Sequence, residues 1–300
     1  MNFKILVLLM FASCTHTFGQ GAFGAIALGD SAFANFHRGN YIDAIRLYKK
    51  VVAQDPYGFA MEQLALCYLK ADSISQAKDM FEKTIRLNSK IPDAAYHASH
   101  ELADLYYKEK DYKKAIDYIQ LNSAIWEKAR FPVVNTFSFN YQKAVDLSNC
   151  YNELKQPDSA IAVLTPYVFS NYLMLTHRIS LDPEPIDSRD SLKHDSICRA
   201  YLSLLLQRHT AKNIKQELKN ADAGFHYAEE NQFYGADKSQ VRRIAYLRFT
   251  FYGVHVDFET IWNDPFKYNV VTPQWYKKQQ QEGSLRRFRL MPLYKMITAL

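Results

Sequence analysis

His97, His100 and Asp104 stand three and four residues apart, which puts all three on one face of a helix. Two imidazoles and a carboxylate are zinc ligands by type. His100-Glu101 also starts the H-E-x-x-H pattern, in which two histidines bind the metal and the Glu acts as general base. Here Asp104 takes the place of the second His, and Glu101 points off the shared face. The spacing therefore predicts solvated histidines rather than a metal centre. His194 and Cys198 form a second pair by type, four apart on another helical stretch, but nothing in the sequence arranges them with a third group. Asp187 to Asp190 lacks the ligand spacing and the Gly of a calcium loop. No G-x-S-x-G, phosphate-binding loop or dinucleotide fingerprint occurs, so neither catalysis nor a cofactor is expected. Cys67, Cys150 and Cys198 lie 83 and 48 residues apart, a pattern of neither a disulfide framework nor a zinc site. They read as free buried thiols, with a Cys67–Cys150 bridge as the alternative.

The elements that carry these residues are helices. In Glu101 to Ile119, Leu102, Ala103 and Tyr106 share one face of a first helix; Lys110, Asp111 and Tyr112 turn the chain, and Ala115 and Ile119 share the inner face of a second. The unit recurs. Leu64, Ala65 and Tyr68 lead to Ala77, Phe81 and Ile85. Leu147, Ser148 and Tyr151 lead to Ala160, Ile161 and Leu164, and Leu28, Ala32 and Phe36 lead to Ala44, Ile45 and Tyr48. The four alanines of the second helices (44, 77, 115, 160) are separated by 33, 38 and 45 residues, which places insertions near Ser89 to Asp93 and Ser123 to Ser138. The second insertion is expected to lengthen a helix through Trp126 before a loop at Phe131-Pro132.

This pattern, from about Ile26 to Val168, resembles the tetratricopeptide repeat family, whose unit is a helix–turn–helix of about 34 residues. It departs from the family where Ser31 precedes Ala32 and where the later spacings exceed the period. The resemblance implies an α-solenoid of about four repeats whose first helices line a concave groove. That lining would comprise Phe33, Phe36 and His37, then Glu62, Leu66, Leu69 and Lys70, then His97, His100, Asp104, Tyr107 and Lys108, then Asn149 and Asn152. Such a groove suits a peptide or partner helix. Some relatives grip a C-terminal carboxylate with Lys, Arg and Asn; Lys108, Asn149 and Asn152 match that chemistry in part, and Glu62 and Asp104 oppose it.

Outside the repeats, residues 1–19 read as a signal peptide: Lys4, an apolar run from Ile5 to Ala12, and small residues before Gln20. Ala12-Ser13-Cys14 also resembles the end of a bacterial lipoprotein box, with Phe11 where that pattern has Leu, so lipidation of Cys14 is the second reading. Both predict export to the periplasm or beyond. The net charge of +6 over 300 residues is too mild to indicate nucleic acid. Domains are expected at 24–180 and 192–300, joined by a linker at 181–191 that holds two prolines. In the C-terminal part, Leu192 to Leu218 reads as helix. Leu247 to Phe258 alternates with period two and reads as a hairpin turning at Tyr252-Gly253, with Leu247, Phe249 and Phe251 opposite Phe258, Val256 and Val254. A single strand with a bulge at Gly253 is the rival. Gly224 to Tyr227 and Lys267 to Val271 are further candidate strands, and Trp275 to Lys295 is basic and aromatic.

The reading is a mainly α chain of tetratricopeptide-like repeats followed by a smaller α+β module. It would act without catalysis as a protein-binding scaffold of a bacterial envelope. An inhibitor or immunity-type protein binding through the C-terminal module is the alternative, and a metal-dependent hydrolase built on His97 and His100 ranks last.

Overall fold

A computed structural model of the chain describes residues 26–54, 59–87, 92–129, 136–170, 188–234, 240–262 and 273–300. The leader with Cys14, the segment 181–187 of the expected linker, Phe131-Pro132 and the candidate strand 267–271 lie outside them. The chain forms two compact units, Met1–Pro132 and Val133–Leu300.

The first unit holds three helix pairs: α1 (residues 26–37) with α2 (Tyr41–Gln54), α3 (Phe59–Lys70) with α4 (Ile74–Leu87), and α5 (Pro92–Lys108) with α6 (Tyr112–Ala129). A fourth pair, α7 (Thr136–Glu153) with α8 (Pro157–Val168), opens the second unit. All four turn in the same way. Gly39, Asp72, Lys110 and Lys155 adopt the left-handed conformation, with φ of 80°, 57°, 64° and 60°. The N–H of the next residue (Asn40, Ser73, Asp111, Gln156) reaches back five residues to the carbonyl of Asn35, Tyr68, Tyr106 and Tyr151. That is a Schellman cap, which satisfies the orphan carbonyls of the first helix. The carbonyl of the same residue then accepts from Ala44, Ala77, Ala115 and Ala160 and so starts the second helix.

Each of those alanines is fully buried, as are Ala32 and Ala65, with Ala103 and Ser148 nearly so. Small side chains at these crossings let paired helices approach closely. Ser148 Oγ donates to the Ala160 carbonyl at 3.0 Å, so the one polar residue in the set has a partner. The first insertion is helical: α5 has 17 residues against 12 in α3, the five extra standing at its start. The second lengthens α6 past Trp126 to Ala129.

The second unit continues with α9 (Ser188–Arg208), α10 (Ala211–Ala223), β1 (His226–Tyr234), β2 (Gln240–Phe251), β3 (Val254–Trp262), α11 (Pro273–Leu290) and α12 (Pro292–Ala299). The last residues of the expected linker thus belong to α9. Thr210 caps α10 by accepting from Asn213 N–H at 3.2 Å. The strands form an antiparallel sheet in the order β1-β2-β3. The hairpin turns at Tyr252 and Gly253, both at positive φ (47° and 77°), as a two-residue type I′ turn requires. Phe249 faces Val256, Phe251 faces Val254, and Arg248 faces Asp257. Leu247, however, faces Glu259 rather than Phe258. A bulge shifts the register between Leu247 and Arg248, and the extra residue lets both Leu247 and Phe258 stay fully buried.

The buried face of the sheet packs with α8, α9 and α11 in one core, so the fourth pair, expected within a 24–180 domain, shares its interior with the C-terminal elements. Phe288 is its hub, within 4.7–6.1 Å of the rings of Phe169, Phe225, Phe249 and Phe258. On the outer face Arg248 donates to Asp257 at 2.6 Å and to Glu230 at 2.7 Å.

Candidate functional site

In the first unit the expected binding residues lie on α1, α3 and α5. Phe33 is 52% exposed and its ring meets His37 edge-on at 4.2 Å; His37 also meets Phe36, which packs onto the core. Tyr107 is 39% exposed against Tyr112, and Lys70, His97, His100, Asp104 and Lys108 are exposed. Leu66 and Leu69 are half-buried. These side chains stand on a stiff frame. Asn122 of α6 donates to the Tyr96 carbonyl at 2.7 Å and to Ser99 Oγ at 2.9 Å. Tyr106 and Tyr118 stack at 5.4 Å, Lys78 lies 4.2 Å over the Tyr106 ring and bonds to Glu109, and Tyr118 donates to Glu82. These contacts tie α4 to the third pair and fix how α5 presents its outer face. In the second unit Asn149 is exposed and Asn152 half-buried.

Glu62 departs from the expected lining. It is 4% exposed, set between α3 and the extended start of α5. Its Oε1 lies 3.4 Å from His97 Nδ1, and its Oε2 is buried without a hydrogen-bond partner. Burial, then the charges of Glu101 and Asp93, push its carboxyl up from 4.5 to about 7. Helix periodicity places Glu62 correctly on α3, but its neighbours Asp93, His97 and Glu101 stand on α5, beyond any local signal.

Among the described residues no three His, Cys, Asp or Glu side chains come together as a metal site needs, and His97, His100 and Asp104 remain separate exposed groups. Cys67, Cys150 and Cys198 are buried free thiols. The His194–Cys198 pair does meet: Nε2 lies 3.5 Å from Sγ, while Nδ1 lies 3.0 Å from the Tyr141 hydroxyl. The spacing showed the pair; Tyr141, 53 residues away, gave no local signal. Burial pushes the Cys198 thiol up to about 12 and lowers His194, so the thiol keeps its proton and the imidazole is neutral. The knot ties α7 to α9 and offers no thiolate nucleophile. In the basic C-terminal stretch, Arg289 bonds bidentately to Asp222 and Arg287 donates to Ser284 Oγ, so part of that charge holds α11 in place.

No family model matches the chain. A segment of 60 residues is 43% identical to the type IV pilus assembly protein PilF of Pseudomonas aeruginosa, and covers 20% of this chain and 22% of that protein's length. Solved structures similar to the chain include the TPR-like repeats of a kinesin light chain from Podosopora anserina (20% identity, 62% of this chain and 89% of that one, TM-score 0.43). PilF of Pseudomonas aeruginosa is another (14% identity, 68% and 86%, TM-score 0.41). The four equivalent capped turns, the four buried alanines at the crossings and the local identity to PilF agree: the helix pairs of residues 26–168 are tetratricopeptide-like repeats.

Proposed function

We propose that the chain is a non-catalytic scaffold that binds a protein or peptide partner across the exposed face of α1, α3 and α5, exported and acting in a bacterial envelope. The observation that carries this reading is the contrast between the two sides of those helices. Their inner faces are locked by alanine crossings and the Asn122 and Tyr106 networks, while their outer faces display Phe33, His37, His100, Tyr107 and Lys108 to solvent. Rigid elements presenting aromatic, imidazole and charged groups suit recognition, since the backbone that carries them is already ordered before a partner arrives.

The export reading is supported by the leader-like residues 1–19 and by the local identity to a pilus assembly protein. Among the described residues no helix is long and apolar enough to cross a membrane. The test is site-specific photo-crosslinking of the full chain in envelope extract, with the crosslinker at Phe33, His100 or Tyr107, at Asp79 or Asp117 of the second helices, or at Arg286 or Lys295. Adducts from the first group alone support the reading. Adducts from Arg286 or Lys295 alone transfer recognition to the C-terminal elements, as an inhibitor-type protein would require, and adducts from Asp79 and Asp117 alone overturn both.

A further inference from the structure

Glu62 is an outlier in its repeat. Equivalent positions in the other three pairs hold Gly29, His100 and Val145, so no packing need shared by the repeats calls for an acid there. Yet its carboxyl is buried with one oxygen unpartnered, and its other oxygen lies 3.4 Å from Nδ1 of the exposed His97 ring. Asp93, His97 and Glu101, spaced by four, form a stripe along α5, and its two acids repel the Glu62 charge. Among the described residues no Lys or Arg pairs with any of these three acids. Once ionised, a buried, half-satisfied carboxylate beside two more is incomplete without a cation. A metal ion would need three converging ligands, which are not present among the described residues. A Lys ammonium or Arg guanidinium needs only the acceptors, and brings its charge on a stem long enough to pass between side chains into a helix seam.

We infer that the seam between α3 and α5 is a pocket for one Lys or Arg side chain of an extended peptide, with Glu62 receiving the charge and Asp93 and Glu101 reinforcing it. His97 is its cover: its side chain is 56% exposed, and turning it outward opens the carboxyl. The inference rests on the proposed peptide-binding role of this face and adds the chemistry of the anchoring residue.

The probe is a set of acetylated nine-residue peptides that differ only at the centre, as Lys, Arg, norleucine or Glu. They are titrated into the isotope-labelled full chain while amide shifts in α3 and α5 are followed. The Lys and Arg peptides are expected to bind at least about tenfold more tightly than norleucine, and Glu the weakest. In Glu62→Gln, with its spectrum otherwise unchanged, the preference should fall within about twofold; Glu101→Gln should lower it in part. Equal binding of Lys and norleucine to the wild type overturns the pocket and leaves the peptide-binding face standing. A preference that survives Glu62→Gln overturns it as well, as does the absence of shifts in α3 and α5 with every peptide. If photo-crosslinks from Phe33, His100 and Tyr107 fail too, the face itself falls.

Discussion

Replacing Glu62 by Gln should stabilise the first unit at alkaline pH and leave it almost unchanged in acid. The carboxyl titrates at about 7 in the folded chain instead of 4.5, because burial and the Glu101 and Asp93 charges disfavour its ionised form. A raised acid favours folding in full below the unfolded value, and that contribution is lost as pH rises through the folded value. Each tenfold change in an ionisation constant is worth about 1.4 kcal/mol, so the displacement from 4.5 to about 7 amounts to about 3 kcal/mol. Since the residue is 4% exposed, solvent screens little of this. Gln keeps the shape and one acceptor and removes the charge.

The assay is urea unfolding from about pH 5 to about pH 8.5, read by Trp126 fluorescence in a chain whose Trp262 and Trp275 are changed to Phe, so that the signal comes from α6 alone. The two proteins should differ by less than about 1 kcal/mol at about pH 5. The variant should lead by about 3 kcal/mol at about pH 8.5, most of the gap opening between about pH 5 and about pH 7 and little being added above that. A gap that stays constant across the range, or a wild type that gains on the variant as pH rises, would refute the account of Glu62 as a buried acid whose ionisation its surroundings oppose.

The capped turns give a matched pair of tests by thermal melting. Gly39→Ala forces a Cβ into a φ of 80° and should cost about 1 kcal/mol, whereas Lys110→Gly relieves a φ of 64° and should stabilise by up to about 1 kcal/mol. Ala115→Leu inserts bulk into a fully buried crossing and should cost about 1–3 kcal/mol or more by urea unfolding. Phe288→Ala removes the hub of the second unit's core and should cost about 3–5 kcal/mol there, with α11 amides losing hydrogen-exchange protection first. Burial pushes the thiols of Cys67 and Cys198 up to about 12 and of Cys150 to about 11, so at about pH 8 all three should react with an aromatic disulfide reagent only at the rate of unfolding.

The repeats were legible because their signals are local. A small residue recurs at each crossing, and in three of the four pairs an aromatic stands five residues before the capping N–H, as in Tyr68, Tyr106 and Tyr151. The hairpin was legible because alternation and the Tyr252-Gly253 turn agree. The bulge that moves Leu247 onto Glu259 was not, since it answers to a packing need, the burial of Phe258, that lies across the core on Phe225 and Phe288. Tyr141 against His194 and Arg289 against Asp222 were hidden for the same reason: their partners stand 53 and 67 residues away.

The candidate site follows from where the repeat fails to repeat. The spacing of 38 rather than 33 between Ala77 and Ala115 marks an insertion of five residues, and the structure spends them all on the start of α5. That extra length carries Asp93 into helix and keeps it in register with His97 and Glu101, beside an acid that no other repeat holds at the equivalent position. A repeat array is stabilised by what its units share, so residues kept against the shared pattern need another explanation. Glu62 destabilises the first unit near neutral pH, and its neighbours make this worse rather than better. An arrangement that opposes folding in isolation and is relieved by a cation is what a binding pocket for a basic side chain requires. On that logic Glu62→Gln should make the chain more stable and a poorer binder, two effects in opposite directions from one substitution.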